Sequence, residues 1–324
     1  MSASLPFSAT KPMPRSLPHP LAGLTVLERG WLSSNNILIH AAPGEAGAVL
    51  VDASHVNHAD QTVALVRHAL AGAPLARVVN THLHSDHCGG NAALQRAFGV
   101  PLVIPPGQAD AVRAWDDRSL SHHLTGQRIE RFAPDALLAP GGSFEAGGRV
   151  WEVLAAPGHD PHSVMLFDRR HGVLISADAL WEQGFGVVFP EVAGEPGFDD
   201  VGATLDLIDS LPVRVVVPGH GAPFDDVDAA LARARSRLQG FKAQPVRHAR
   251  HAIKVLLKYH VMEEQALTRE ALLQWGLTTP LLVGLWARYR PAGVADARAW
   301  VASLIGELLA AGALAEADGQ LVDA

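Results

Sequence analysis

The segment Val78–Asn91 constrains this chain more than any other. Directly after a run that reads as a strand, Arg77–Asn80, four side chains able to bind a metal fall within six residues: His82, His84, Asp86 and His87. In extended chain, residues two apart point the same way, so His82 and His84 can share one metal. Asp86 and His87 lie beyond the next bend and can face a second position close by. Gly89-Gly90 then allows a tight turn into a helix over Asn91–Phe98. Borderline-soft Zn²⁺ prefers such imidazole and carboxylate ligands. A lone His on an apolar face is most often structural, but three later segments repeat the form. Pro157-Gly158-His159 follows a strand at Val150–Leu154, Ser176-Ala177-Asp178 follows Val173–Ile175, and Pro218-Gly219-His220-Gly221 follows Val213–Val217. Seven candidate ligands at four strand ends require a fold that gathers those ends into one cleft.

The rest of the chain supports a layered α/β domain followed by a helical one. Residues 1–20 hold five prolines and read as an irregular arm. Strands are predicted at Leu24–Leu27, Asn36–Ile39, Val49–Val51, Leu102–Ile104 and Val164–Phe167, with helices inserted at Ala59–Ala71 and Asp199–Ser210. Beyond Gly221 the pattern becomes almost wholly helical: Val227–Lys242, Val246–Glu264, Thr268–Gln274, Pro280–Tyr289 and Ala295–Ala311. Thr268 is a plausible N-cap. Ala313–Ala315 and Gln320–Val322 can pair across Asp318-Gly319, a dipeptide suited to tight hairpins, as the wing of a winged-helix-like unit. The division expected is an arm at 1–20, a catalytic domain at 21–240 and a helical domain at 241–324.

Taken in order, His-x-His-x-Asp-His, Pro-Gly-His, an Asp after a strand and Gly-His resemble the metallo-β-lactamase-fold hydrolase superfamily, over roughly residues 22–225. The resemblance implies an αββα sandwich with two divalent cations on one edge, in a site like that of glyoxalase II. It assigns His82, His84 and His159 to one metal, Asp86, His87 and His220 to the other, and Asp178 to both. Asp52, at the end of Val49–Val51, matches an early Asp that supports the metal loop without binding metal. Zinc is the metal first implied, with iron or manganese as alternatives. Two cations about 3.5–4 Å apart share a water and lower its pKa toward neutrality, making a nucleophile for a carbonyl or phosphoryl centre. Asp86 is then the candidate to orient that nucleophile and relay a proton. The chain departs from a common form of the motif at His162, where glycine is frequent; His162 reads as a surface or supporting residue, with substrate contact as the alternative. Cys88 has no evident base beside it and reads as a small packing residue.

The substrate is less determined. The loop after Asp178 carries Trp181, Phe185 and Phe189, which either line a substrate pocket or pack against the helical unit. Trp31 and Asn35-Asn36 belong to an early hairpin that overhangs the site in the superfamily. From Arg233 to His260 there are eight Lys and Arg and no acid: a solvated helix face, a dock for an anionic substrate such as a carboxylated thioester, or a phosphate track. Residues 1–240 carry 17 Lys and Arg against 25 Asp and Glu, which argues against general nucleic-acid binding. A single cysteine excludes a disulfide scaffold, and no apolar run is long enough to span a bilayer. No secretory signal follows Lys11 and Arg15, so a cytoplasmic protein is expected, with a small-molecule substrate and room for homo-oligomers. The reaction expected is metal-dependent hydrolysis of a small ester-like substrate, a thioester before a lactone or β-lactam. A ribonuclease using the C-terminal unit and a mononuclear iron sulfur dioxygenase are the alternatives.

Overall fold

The computed structural model describes residues 19–324, so nearly all of the predicted N-terminal arm lies outside the described residues. Two sheets stack face to face. The first has six strands in simple order: β1 (Leu24–Leu27), β2 (Asn36–Ile39), β3 (Ala48–Val51), β4 (Leu75–Val79), β5 (Leu102–Ile104) and β6 (Ala136–Leu137). The first three pair antiparallel and the rest parallel. The second contains β7 (Ser143–Ala146), β8 (Arg149–Ala155), β9 (Val164–Asp168), β10 (Val173–Ala177) and β11 (Val215–Pro218), in the order β11-β10-β9-β8-β7. Only its β10–β11 pair is parallel.

Alternation along each strand builds the layers, because successive side chains leave a strand on opposite faces. Ile37, Ile39, Val49, Val51 and Val79 meet Val164, Leu166, Val173, Ile175, Val215 and Val217 in one core between the sheets. Their neighbours Leu38, Leu50, Val78 and Leu102 face outward into a second core with Val63, Val66 and Leu70 of the helix Ala59–Leu70. On the other side Met165, Phe167, Leu174 and Val216 pack against helices Phe198–Ser210 and Val227–Ala243. The result is the αββα arrangement that the sequence implied.

The helices Pro245–Glu264, Arg269–Thr278, Pro280–Tyr289 and Ala297–Ala310 surround a further core that includes Leu256, Leu257, Leu285 and Leu304. Thr268 caps its helix, accepting from the Ala271 amide at 3.1 Å. Strands β12 (Ala266–Leu267), β13 (Leu314–Ala317) and β14 (Gln320–Asp323) form a small antiparallel sheet, with Asp318 and Gly319 both at positive φ in the turn. Val187 and Val192, from the segment after Asp178, enter this same core, which joins the helical region to the metal-side edge of the sandwich. Among the described residues no helix is long and apolar enough to cross a membrane.

Candidate metal centre

Four strand ends converge as the sequence required. The donor atoms of His82, His84 and His159 lie within 4.8 Å of one another, and so do those of Asp86, His87, Asp178 and His220. Asp178 faces both groups: its Oδ2 is 3.3 Å from His159 Nε2, while its Oδ1 is 3.4 Å from His87 Nε2 and 3.9 Å from His220 Nε2. Asp86 Oδ2 lies 3.0 Å from His220 Nε2. All seven residues are buried.

The loops take this shape for local reasons. Ala177, before Asp178, sits at φ 47, a conformation an L side chain adopts only under constraint. Gly219 is required by contact: a Cβ there would stand 2.2 Å from Asp178 Oδ1. Asp52, itself at φ 61, is the central brace. Its carboxylate accepts from the Thr81 amide, the Thr81 hydroxyl and His87 Nδ1, each at 2.8 Å. Asn35 and Asn36 do not overhang the cleft but are buried behind it. Asn35 donates to the carbonyls of Pro218 and Gly221, and Asn36 donates to Asp52 O. Trp31 does overhang: it is 56% exposed and stacks on the His220 ring at 5.2 Å and 12°.

The donor chemistry fits metal ions. Thr81 Oγ1 gives its proton to Asp52, so it accepts from His82 Nδ1 and leaves His82 Nε2 with a lone pair. His159 Nδ1 donates to Val187 O, which likewise frees its Nε2. Those two nitrogens lie 3.0 and 2.7 Å from His84 Nδ1, so at most one proton is shared among three rings. Burial, reinforced by neighbouring imidazoles, holds His82 well below its ordinary range, and burial with His159 brings His84 down to about 4. The second group favours positive charge. Against the opposing effect of burial, His87 and His220 bring Asp86 to about 2 and hold Asp178 well below the ordinary carboxylate range. Burial would deprotonate His87, but Asp52, Asp86 and Asp178 raise it well above the usual imidazole range. Neutral lone pairs on one side and buried carboxylates on the other make a donor set suited to cations.

Other sequence candidates separate. Trp181 and Phe189 line a cavity of about 290 Å³ over the donor groups. Phe185 does not: only 1% exposed, it packs in the core beneath helix Phe198–Ser210, just after the tight turn closed by the Trp181–Gly184 pair. His162 is exposed and rests against Gly107, away from the cavity. Cys88 is buried, and burial pushes its thiol well up, as befits a packing residue. Sequence reasoning missed Asp160, buried with Oδ2 3.6 Å from His84 Nε2, although it adjoins His159. It also missed Gln127, His251, Val255 and Tyr259 in the cavity wall, whose sequence distance from the ligands left no local signal; Arg237, which joins them there, reads in the sequence only as one member of the basic run.

Comparison with known proteins agrees with this geometry. The family model of the metallo-beta-lactamase superfamily matches residues 29–220, and the chain belongs to that superfamily. It is 29% identical over 189 residues to a hydroxyacylglutathione hydrolase of Synechococcus sp. (strain JA-2-3B'a(2-13)), covering 58% of this chain and 64% of that protein. It is also 29% identical over 153 residues to the acyl-coenzyme A thioesterase MBLAC2 of Gallus gallus, covering 44% and 55%. The chain thus spans less than two thirds of these curated relatives. A metallo-beta-lactamase family protein of Thermus thermophilus shares the fold over 94% of this chain and 99% of its own, with a TM-score of 0.53 at 21% identity.

Proposed function

We propose that this chain is a metal-dependent hydrolase that binds two divalent cations and cleaves a small thioester. The observation that carries the reading is the gathering of seven donor side chains into two adjoining groups with Asp178 facing both. In this reading His82, His84 and His159 hold one cation, Asp86, His87 and His220 the other, and Asp178 links them; zinc suits the donors best, and iron or manganese are accommodated. When bound, the cations supply Lewis acidity and bring the pKa of water toward neutrality.

The chain's own residues do the rest. Asp52 keeps His87 in the tautomer whose Nε2 faces the centre, and Val187 O does the same for His159. Asp86 orients the attacking water and carries a proton from it toward the sulfur as the C–O bond forms and the C–S bond breaks, giving an acid and a thiol. Trp31, Trp181, Val187 and Phe189 give the substrate an apolar seat and exclude bulk water. The names of the curated relatives, a glutathione thioester hydrolase and a coenzyme A thioesterase, favour a thioester over a lactone or β-lactam. The two cores favour a catalytic domain followed by a helical one, although helix Val227–Ala243 runs across residue 240 and Val187 and Val192 enter the helical core. Metal analysis and a panel of thioesters, lactones and β-lactams test the reading together. Two equivalents of metal and chelator-sensitive thioester turnover are expected; a single iron with oxygen uptake on a persulfide would replace it.

A further inference from the structure

The basic run Arg233–His260 is mostly neutralised by its surroundings. Arg235 pairs with Asp206 and Asp209, Lys242 with Asp199, Arg250 and Lys254 with Glu307, and Lys258 with Asp323, while Arg233 donates to Glu182 O. Arg247 has no side-chain partner among the described residues but is exposed to solvent, whereas Arg237 is unpaired at the cavity. Arg237 is half-buried, and burial lowers its pKa with no neighbouring carboxylate to offset the effect among the described residues. Its guanidinium lies between the rings of Phe185 and Phe241, with centroids at 5.5 and 5.4 Å. It also rests against Gly184, where a Cβ would come within 3.0 Å of its Cδ and Nη1. Its one side-chain hydrogen bond runs from Nη2 to His251 Nε2 at 2.7 Å, so that imidazole is neutral and cancels no charge.

A guanidinium has five N–H donors, and a buried cation without a counter-ion is costly to keep. Arg237 keeps its place in the wall of the cavity that also exposes Asp86, Asp178 and His220. Among the described residues no other Lys or Arg lines that cavity, and much of the remaining wall is apolar. The fork of an arginine matches a planar carboxylate through two parallel hydrogen bonds. About 290 Å³ suits a small acid and falls near the lower limit of ligand pockets.

We propose that Arg237, held by His251, Phe185 and Phe241, is a subsite for a carboxylate carried by the substrate, on either its acyl or its thiol portion. This rests on the hydrolase reading above and names the substrate class: a thioester that bears a free carboxylate.

The test uses the metal-loaded full chain and three thioesters: acetyl-N-acetylcysteamine without charge, succinyl-N-acetylcysteamine with an acyl carboxylate, and acetyl-N-acetylcysteine with a thiol-side carboxylate. Arg237→Met keeps the apolar stem between the two rings. It is expected to raise KM about tenfold or more for a carboxylate-bearing substrate and to leave the neutral one within about threefold. Arg237→Lys, which retains charge without the fork, is expected to fall between. Loss confined to the succinyl substrate places the carboxylate on the acyl side; loss confined to acetyl-N-acetylcysteine places it on the thiol side. An equal loss on all three, or on none, overturns the subsite. Calorimetric titration with succinate adds a readout free of turnover: wild type should bind about tenfold or more tightly than Arg237→Met. If that difference holds while no thioester is cleaved, the hydrolase reading fails and the subsite stands. Equal succinate affinity in the two proteins overturns the subsite even where thioesters are cleaved.

Discussion

The strand-end rim and the helical cap border the same cavity and are built in opposite ways. The rim is polar and braced: Thr81 and Val187 O fix the tautomers of His82 and His159, Asp52 holds His87 Nδ1, and Asn35 ties down the loop that carries His220. The cap, from helices Val227–Ala243 and Pro245–Glu264, contributes Val255, Leu256, Tyr259 and one unpaired cation, Arg237. Its polar ties run elsewhere. Tyr259 donates to Leu32 O, and buried Glu263 accepts from the Arg128 amide and lies 3.2 Å from His55 Nε2. The contrast separates chemistry, which needs rigid donors, from selection, which needs a shaped apolar wall with few charges.

Four substitutions sharpen or break that contrast. The largest effect is expected at the rim. Asp178→Ala removes the carboxylate that faces both donor groups, and should lower activity about a thousandfold and metal content below two per chain, measured by turnover and elemental analysis. In the helical core behind the cap, Leu304→Ala empties a fully buried site and should cost about 2–5 kcal/mol in denaturant unfolding, with metal stoichiometry unchanged. A loss of metal there would erase the distinction between the two regions. Asp52→Asn leaves every proposed ligand in place but disturbs the acceptor for His87 Nδ1; a drop of about 10- to 100-fold in metal affinity is expected by competition with a chelator.

The smallest effect concerns acid sensitivity at the junction. His248 accepts from the Val188 amide through Nε2, and burial, helped by Arg237, brings it from 6.5 to about 4. The folded state therefore holds this ring neutral. Its contribution to stability is full above pH 6.5 and is lost as pH falls from 6.5 through about 4. His248→Phe should flatten the decline in Tm over that window, by about a few degrees, in thermal melts from pH 7 to 4.5. An unchanged slope would show that His248 is not the titrating group.

Much of the rim was legible because its information is local. Short apolar runs bounded by turn residues gave the strands, and the donors sit just past them, as in Val78–Asn91. Details slipped where tertiary pairing decides: β11 begins at Val215 rather than Val213, since it pairs with β10 only from Val173↔Val215 onward. The two-residue strand β6 carries no periodic signal. The loop Trp181–Phe189 offered three aromatic residues with no means of telling which way each faces, and Phe185 turned into the core. Arg237 was hidden among seven similar cations, because only the positions of Asp199, Asp206, Asp209, Glu307 and Asp323 reveal which of them are paired.

Anomalous diffraction from crystals grown with zinc tests the central claim most directly. The account predicts two peaks about 3.5–4 Å apart, one among His82, His84 and His159, the other among Asp86, His87 and His220, with Asp178 between them. A single peak, or none within reach of these seven side chains, would contradict it.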